Sequence, residues 1–114
     1  MGTAVRITSE HAGDPADPQD PRWKLVFIGI VESERLVKQF CYGFSIEVEG
    51  EVKQRWPLVL EPPTTDHGAF LYFGPEADPQ RESINIFEKN IIVGELFTRD
   101  NDSTYRITKV ENFE

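Results

Sequence analysis

The stretch LVKQFCYGFSIEV, Leu36 to Val48, decides how the whole chain is read. Leu36, Phe40, Tyr42, Phe44, Ile46 and Val48 fall on one side of an extended chain, and Val37, Gln39, Cys41, Gly43, Ser45 and Glu47 on the other. A helix competes, because Leu36, Val37, Phe40, Cys41 and Phe44 also form a stripe at helical spacing. Aromatic and β-branched residues favour a strand, and Gly43 is unfavourable inside a helix. The alternation also continues through Val48, so the segment reads as a strand with the aromatic side predicted to face a core.

The following residues extend this reading. EGE, Glu49 to Glu51, leads into VKQRWPLVL. A three-residue loop pairs Val48 with Val52, Phe44 with Trp56, Tyr42 with Leu58 and Phe40 with Leu60, with all these apolar residues on one face. A two-residue loop at Glu49-Gly50 places Lys53 and Arg55 over that face instead, so the pattern predicts the odd loop. The expected core face therefore holds Phe40, Tyr42, Phe44, Ile46, Val48 and Trp56. Pro57 cannot donate to a ladder, which predicts an edge or a bulge in this second strand.

WKLVFIGIVE reads as a central strand covered on both faces, and TAVRITS as a short first strand. AFLYFG, SINIFE, NIIVGELFT and TYRITKV complete the series, with a tight turn at Lys89-Asn90 that sets Ile86 beside Val93 and a further turn at RDNDS. Seven or eight short strands separated by turns predict an all-β fold, a small antiparallel barrel or sandwich with little or no helix. At 114 residues the chain is expected to form one domain, residues 1–114.

Between the first two strands lies GDPADPQDP, residues 13–21, an acidic Asp-Pro linker. Each proline removes a donor and pushes its predecessor toward extended geometry. In a polyproline II conformation Asp14, Asp17 and Asp20 would line one edge. Asp100 and Asp102 crowd the predicted last hairpin tip.

Twenty acidic residues against twelve basic give a net charge of −8. That field disfavours nucleic acid and anionic membrane and favours a basic protein partner. The longest strongly apolar run, LVFIGIV, is too short to cross a bilayer as a helix. Cys41 is the only cysteine, so no internal disulfide forms. The opening MGTAVRITSEHAG lacks the features of a secretory leader, and Arg6 stands where a myristoylation signal has Ser or Thr. The expectation is a soluble cytoplasmic protein.

Chemistry is sparse. PPTTDHGAF holds Asp66 and His67, with Thr65 or Cys41 as candidate nucleophiles, but adjacent residues in extended chain point apart and no nucleophile elbow is present. The segment reads as a connecting loop with Thr65 and Asp66 in local turn bonds. His11 and His67 lack any metal-ligand spacing, and RDNDST lacks the glycine and distal glutamate of a calcium loop. No glycine-rich phosphate loop occurs, and no cofactor is expected. The aromatic stripe from Phe40 to Phe44 reads as core rather than as a base-stacking surface.

Three functions follow as expectations, with a structural or assembly role behind them. The first is a non-catalytic acidic interaction protein of the inhibitor or toxin-neutralising type, docking on a basic partner through Asp14, Asp17, Asp20, Asp100 and Asp102. The second is a small-molecule-binding barrel with an apolar pocket, for which Tyr42, Trp56, Tyr72 and His67 supply polar handles. The third is a small enzyme built on the His67–Asp66 loop.

Overall fold

A computed structural model describes residues 2–12, 24–49, 52–73, 81–99 and 103–112. Nine strands follow one another: β1 (Thr3–His11), β2 (Lys24–Glu32), β3 (Arg35–Leu36), β4 (Cys41–Glu49), β5 (Val52–Glu61), β6 (Ala69–Phe73), β7 (Arg81–Ile84), β8 (Leu96–Arg99) and β9 (Ser103–Asn112). A single 3₁₀ turn, Ile86–Glu88, separates β7 from β8. All pairings are antiparallel, and eight strands close into a barrel in the order β1-β9-β8-β7-β6-β5-β4-β2, with β2 returning to β1. The short β3 adds to the far half of β2. Each barrel strand therefore neighbours its successor, as in an up-and-down barrel, and closure removes every long open edge.

Eight strands leave a lumen that side chains can fill. Val5 and Ile7 of β1, Leu25 and Phe27 of β2, Leu58 and Leu60 of β5, Leu71 of β6, Phe97 of β8, and Tyr105 and Ile107 of β9 fill it. Phe27 meets Phe97 edge-on across the barrel at 6.2 Å, and Phe97 stacks on Tyr105 at 5.8 Å. At the end where β2 finishes and β4 begins, Ile86, Phe87 and Ile91 close the lumen and join the same core. Backbone bonds tie this plug down: Ile91 N donates to Glu34 O at 2.6 Å, and Gly94 N to Ile107 O at 2.8 Å.

The predicted phase of β4 is inverted. Cys41 and Ser45 are buried, whereas Tyr42 is 64% exposed, Phe40 54% and Trp56 47%. Phe44 and Ile46 are half-buried on the outer side, and the side chain of Val48 lies outside the described residues. The ladder pairs Glu49 with Val52, so two residues, Gly50 and Glu51, separate the strands rather than three. Phe44 then opposes Pro57 and Tyr42 opposes Val59, while Cys41 opposes Leu60 and Gly43 opposes Leu58. The physical reason is lumen volume: with Phe27, Phe97 and Tyr105 inside, β4 turns its small residues inward. A Cβ at Gly43 would lie 1.9 Å from the Val26 carbonyl oxygen, so only glycine lets β4 approach β2 this closely.

Other expectations are corrected too. Phe40 precedes β4, since the extended run breaks at 37–40. SINIFE is strand only to Ile84 and then turns into the 3₁₀ segment. Residues 91–95 form a loop, so Ile86 and Val93 are not strand neighbours; β8 begins at Leu96. β5 lies inside the closed barrel, and Pro57 is tolerated just before its described ladder with β6 begins at Leu58↔Phe73.

Two mutational outcomes follow from this phase. Phe27→Ala is expected to cost about 3–5 kcal/mol, and Phe44→Ala only about 1 kcal/mol, because its ring is already half in water. Denaturant melts giving the reverse order would put the aromatic side of β4 inward. Ser33 and Glu34, which join β2 to β3, both have positive φ (53° and 66°), the geometry of a type I′ turn without its usual glycine. Glu34→Gly should therefore raise stability by about 1 kcal/mol in the same melts. A loss of stability there would argue against this turn.

Candidate functional site

Because β4 turns small residues inward, its large ones stand outside, and the register aligns them with those of neighbouring strands. One row runs Ile28, Tyr42, Val59, Tyr72, Arg81 across β2, β4, β5, β6 and β7. A second runs Val26, Phe44, Pro57, and a third Glu61, Phe70, Ser83. Ile28 is 42% exposed, and Phe44, Val59, Phe70 and Tyr72 are half-buried, whereas Val26 is covered; the accessible aromatic and aliphatic face therefore runs from Ile28 and Tyr42 through Phe44 and Val59 to Phe70 and Tyr72. Phe40, also exposed, precedes β4 and has no place in these rows.

Cations border this face. The Arg55 guanidinium lies over the Phe44 ring at 5.3 Å, and that of Arg81 over Phe70 at 4.4 Å. Such contacts are attractive and hold the planar fork of N–H donors at the ring surface. Tyr72 Oη donates to Glu61 Oε2 at 3.0 Å, which fixes that ring and occupies the carboxylate. Lys24 sits at the border with Glu10 3.9 Å away. Aromatic rings and arginine together are the composition enriched at the centres of protein interfaces.

A different set of groups lies inside the barrel at the end where β1 finishes and β2 begins. Arg99 pairs with Glu82 and donates to Tyr105 Oη at 3.2 Å. His11 packs edge-on against Tyr105 at 5.1 Å. Burial, and secondarily the nearby Arg99 charge, hold the His11 imidazole below its ordinary range. Ser9 Oγ donates to the Leu25 carbonyl at 2.8 Å. Ser45 Oγ is buried with no partner among the described residues. Trp56 opposes Ser45 in the ladder and emerges at this end.

The residues expected from sequence are scattered over this framework. Asp14, Asp17, Asp20, Asp100 and Asp102 lie outside the described residues. Their flanking strand ends, His11 and Lys24, Arg99 and Ser103, belong to the same end of the barrel. Tyr42 and Tyr72 share the outer face, Trp56 follows the opposite phase, and His67 sits in the loop before β6, so these four do not gather around one pocket. In that loop Asp66 N and His67 N both donate to Thr64 Oγ1, at 3.2 and 3.3 Å, a local turn. His67 Nδ1 donates to the Gly68 carbonyl at 2.7 Å. Cys41 is buried, and burial pushes its thiol up to about 11, so it stays protonated at neutral pH. His11 and His67 occupy opposite ends of the barrel, and among the described residues no three His, Cys, Asp or Glu side chains gather as metal ligands.

No protein-family model, curated protein or solved structure matches this chain. Function must therefore be drawn from geometry, and the outer aromatic face is the feature sequence reasoning missed. The one local sign is that Cys41, Gly43 and Ser45 are small, but hydrophobicity favours the side of Tyr42 and Phe44, so the alternation alone does not choose between the faces.

The His11 environment sets a pH dependence. Its pKa is lowered on folding, so the unfolded chain binds the proton more readily. This contribution to stability is intact above the unfolded value of 6.5 and is lost as pH falls through the folded one. Urea midpoints should drop between about pH 7.5 and about pH 5.5, and His11→Gln should flatten that drop. An unchanged slope in the variant would place the titration elsewhere.

Proposed function

We propose that this protein is a non-catalytic interaction module that docks a basic protein partner, of the inhibitor or toxin-neutralising type, through the outer face of β2, β4, β5 and β6. The observation that carries this reading is the exposed cross-strand pair of Ile28 and Tyr42 beside Phe44, Phe70 and Tyr72, with Arg55 and Arg81 laid on the rings of Phe44 and Phe70. Contiguous apolar surface rimmed by polar groups is characteristic of binding sites. Rings and guanidinium groups lose little conformational freedom when covered, which suits them to anchor an interface.

Charge and contact act at different ranges. The net charge of −8 attracts a basic partner over distances comparable to the Debye length, and Asp14, Asp17, Asp20, Asp100 and Asp102 belong to that field. At contact, the rings bury apolar area while the arginine forks meet backbone carbonyls or isolated carboxylates of the partner. Base stacking would also use exposed rings, but the overall charge opposes approach of a polyanion. The buried, protonated Cys41 suits a reducing compartment such as the cytoplasm.

The test is capture from native extract at low and high salt, followed by kinetics with the purified partner. Tyr42→Ala and Arg55→Ala should each weaken binding about 10- to 100-fold, mainly through faster dissociation. Changing Asp14, Asp17 and Asp20 together to Asn should slow association at low salt and leave melting unchanged. Association indifferent to salt and to these acids would remove the basic-partner reading. Dissociation indifferent to Tyr42 and Arg55 would remove the aromatic face as the docking surface.

A further inference from the structure

We propose that a cavity beside the β7–β8 seam binds a small organic carboxylate with an apolar body, a site distinct from the docking face, which it adjoins at Ser83. The seam is the thinnest part of the barrel wall. β7 and β8 share a single described rung, Ile84↔Arg99. Past that rung Asn85 stands in for a strand partner: its Oδ1 accepts from Thr98 N at 2.7 Å, and its own N donates to Thr98 O at 3.3 Å. The backbone is thereby satisfied while the wall parts, and a cavity of about 480 Å³ opens between the seam, the 3₁₀ turn and the loop before β6. That volume falls among those of small-molecule sites, roughly 300–1,000 Å³.

The chemistry of the walls defines the ligand. Arg35 and Lys38 line one side, Glu88 contributes a carboxylate, and Ile84, Phe87 and Pro63 supply apolar surface. Among the described residues Arg35 makes one side-chain bond, from Nε to Asn90 Oδ1 at 3.1 Å, which orients the guanidinium and leaves its terminal nitrogens without a partner there. Lys38 has no hydrogen bond or ion pair among the described residues, and Glu88 forms no ion pair with either cation. In a chain with eight more acids than bases, the cavity lining holds two cations and one carboxylate, with neither cation ion-paired among the described residues; Glu32 lies opposite Arg35 in the β2–β3 ladder, outside the lining.

Two positive charges and one negative leave a net of +1 across the cavity. A monoanion balances it, whereas a phosphate dianion would leave Glu88 facing excess negative charge. The guanidinium fork suits a carboxylate in particular. Phe87 belongs to the plug and Ile84 to the end of β7, and both are buried, so the edges they show to the cavity are firmly held against an aryl or branched alkyl body. A Cβ added at Gly68 meets nothing within 4 Å, so the loop side of the cavity is open for entry.

Amide chemical shifts of the intact chain would be followed while benzoate, benzamide or inorganic phosphate is added. Benzoate should saturate below about 10 mM and shift residues 83–88 and 98. Benzamide and phosphate should bind at least about 10-fold more weakly. Arg35→Gln and Lys38→Ala lie on the surface and should preserve the spectrum while weakening benzoate about 10-fold; Glu88→Gln should not weaken it. Lack of saturation, benzamide equal to benzoate, phosphate preferred over benzoate, or benzoate affinity unmoved by both cation variants would each overturn the proposal.

Discussion

An eight-stranded antiparallel barrel has room inside for a fixed volume of side chains, and here three rings share it with aliphatic side chains of β1, β2, β5, β6 and β9. Phe27 and Phe97 meet across the lumen, and Phe97 continues onto Tyr105. Strands next to such rings can present little bulk of their own. β4 satisfies that demand with Cys41, Gly43 and Ser45, and Gly43 is constrained further by the Val26 carbonyl beside it. The outward aromatics of β4 are thus a consequence of interior packing. Once the small residues face in, strand geometry obliges Tyr42, Phe44 and Ile46 to face out. The outer aromatic face and the core are two sides of one steric solution.

The two ends of the lumen are closed by different chemistry. At one end Ile86, Phe87 and Ile91 bury apolar surface, and backbone bonds to Glu34 and Ile107 leave little polar demand unmet. At the other, Arg99, Glu82, Tyr105 and His11 bring charge and hydrogen bonds into the wall. Burying those groups costs desolvation free energy, which their mutual bonds offset. Apolar closure makes the first end the firmer support, and both the cavity and the start of the docking face lie beside it.

Strand content and antiparallel order were legible because turn residues and β-rich runs alternate along the chain; closure into a barrel rather than a sandwich was not, since the β1–β2 pairing joins strands on either side of residues 13–21. Nor was the phase of β4. Tyr42, Phe44, Ile46 and Val48 form a more apolar stripe than Cys41, Gly43 and Ser45, and hydrophobicity alone assigns that stripe to the core. The decisive quantity is volume shared with Phe27, Phe97 and Tyr105, which are distant in sequence. The β4–β5 loop length was misread for the same reason, since a one-residue slip exchanges the faces of every residue. SINIFE is also ambiguous locally: Ile84, Ile86 and Phe87 are all buried, and only the need to close a barrel end turns the chain after Ile84. The cavity was illegible altogether, because Arg35, Lys38 and Glu88 come from separate elements and follow no motif.

Net charge describes this molecule poorly at short range. Arg6, Lys24, Arg99 and Lys109 are matched with Glu111, Glu10, Glu82 and again Glu111, so part of the acidic excess is neutralised locally. Arg55 and Arg81 are held by rings instead, and Arg35 by a neutral amide. A cation stabilised by a π face or an amide keeps its full charge for a second partner, whereas one in an ion pair has its field largely cancelled. Arg35, Arg55 and Arg81 keep their charge in this way, and Lys38 has no ion pair among the described residues. On this barrel they border the aromatic face and the β7–β8 cavity, so an acidic protein presents positive charge where contact is expected.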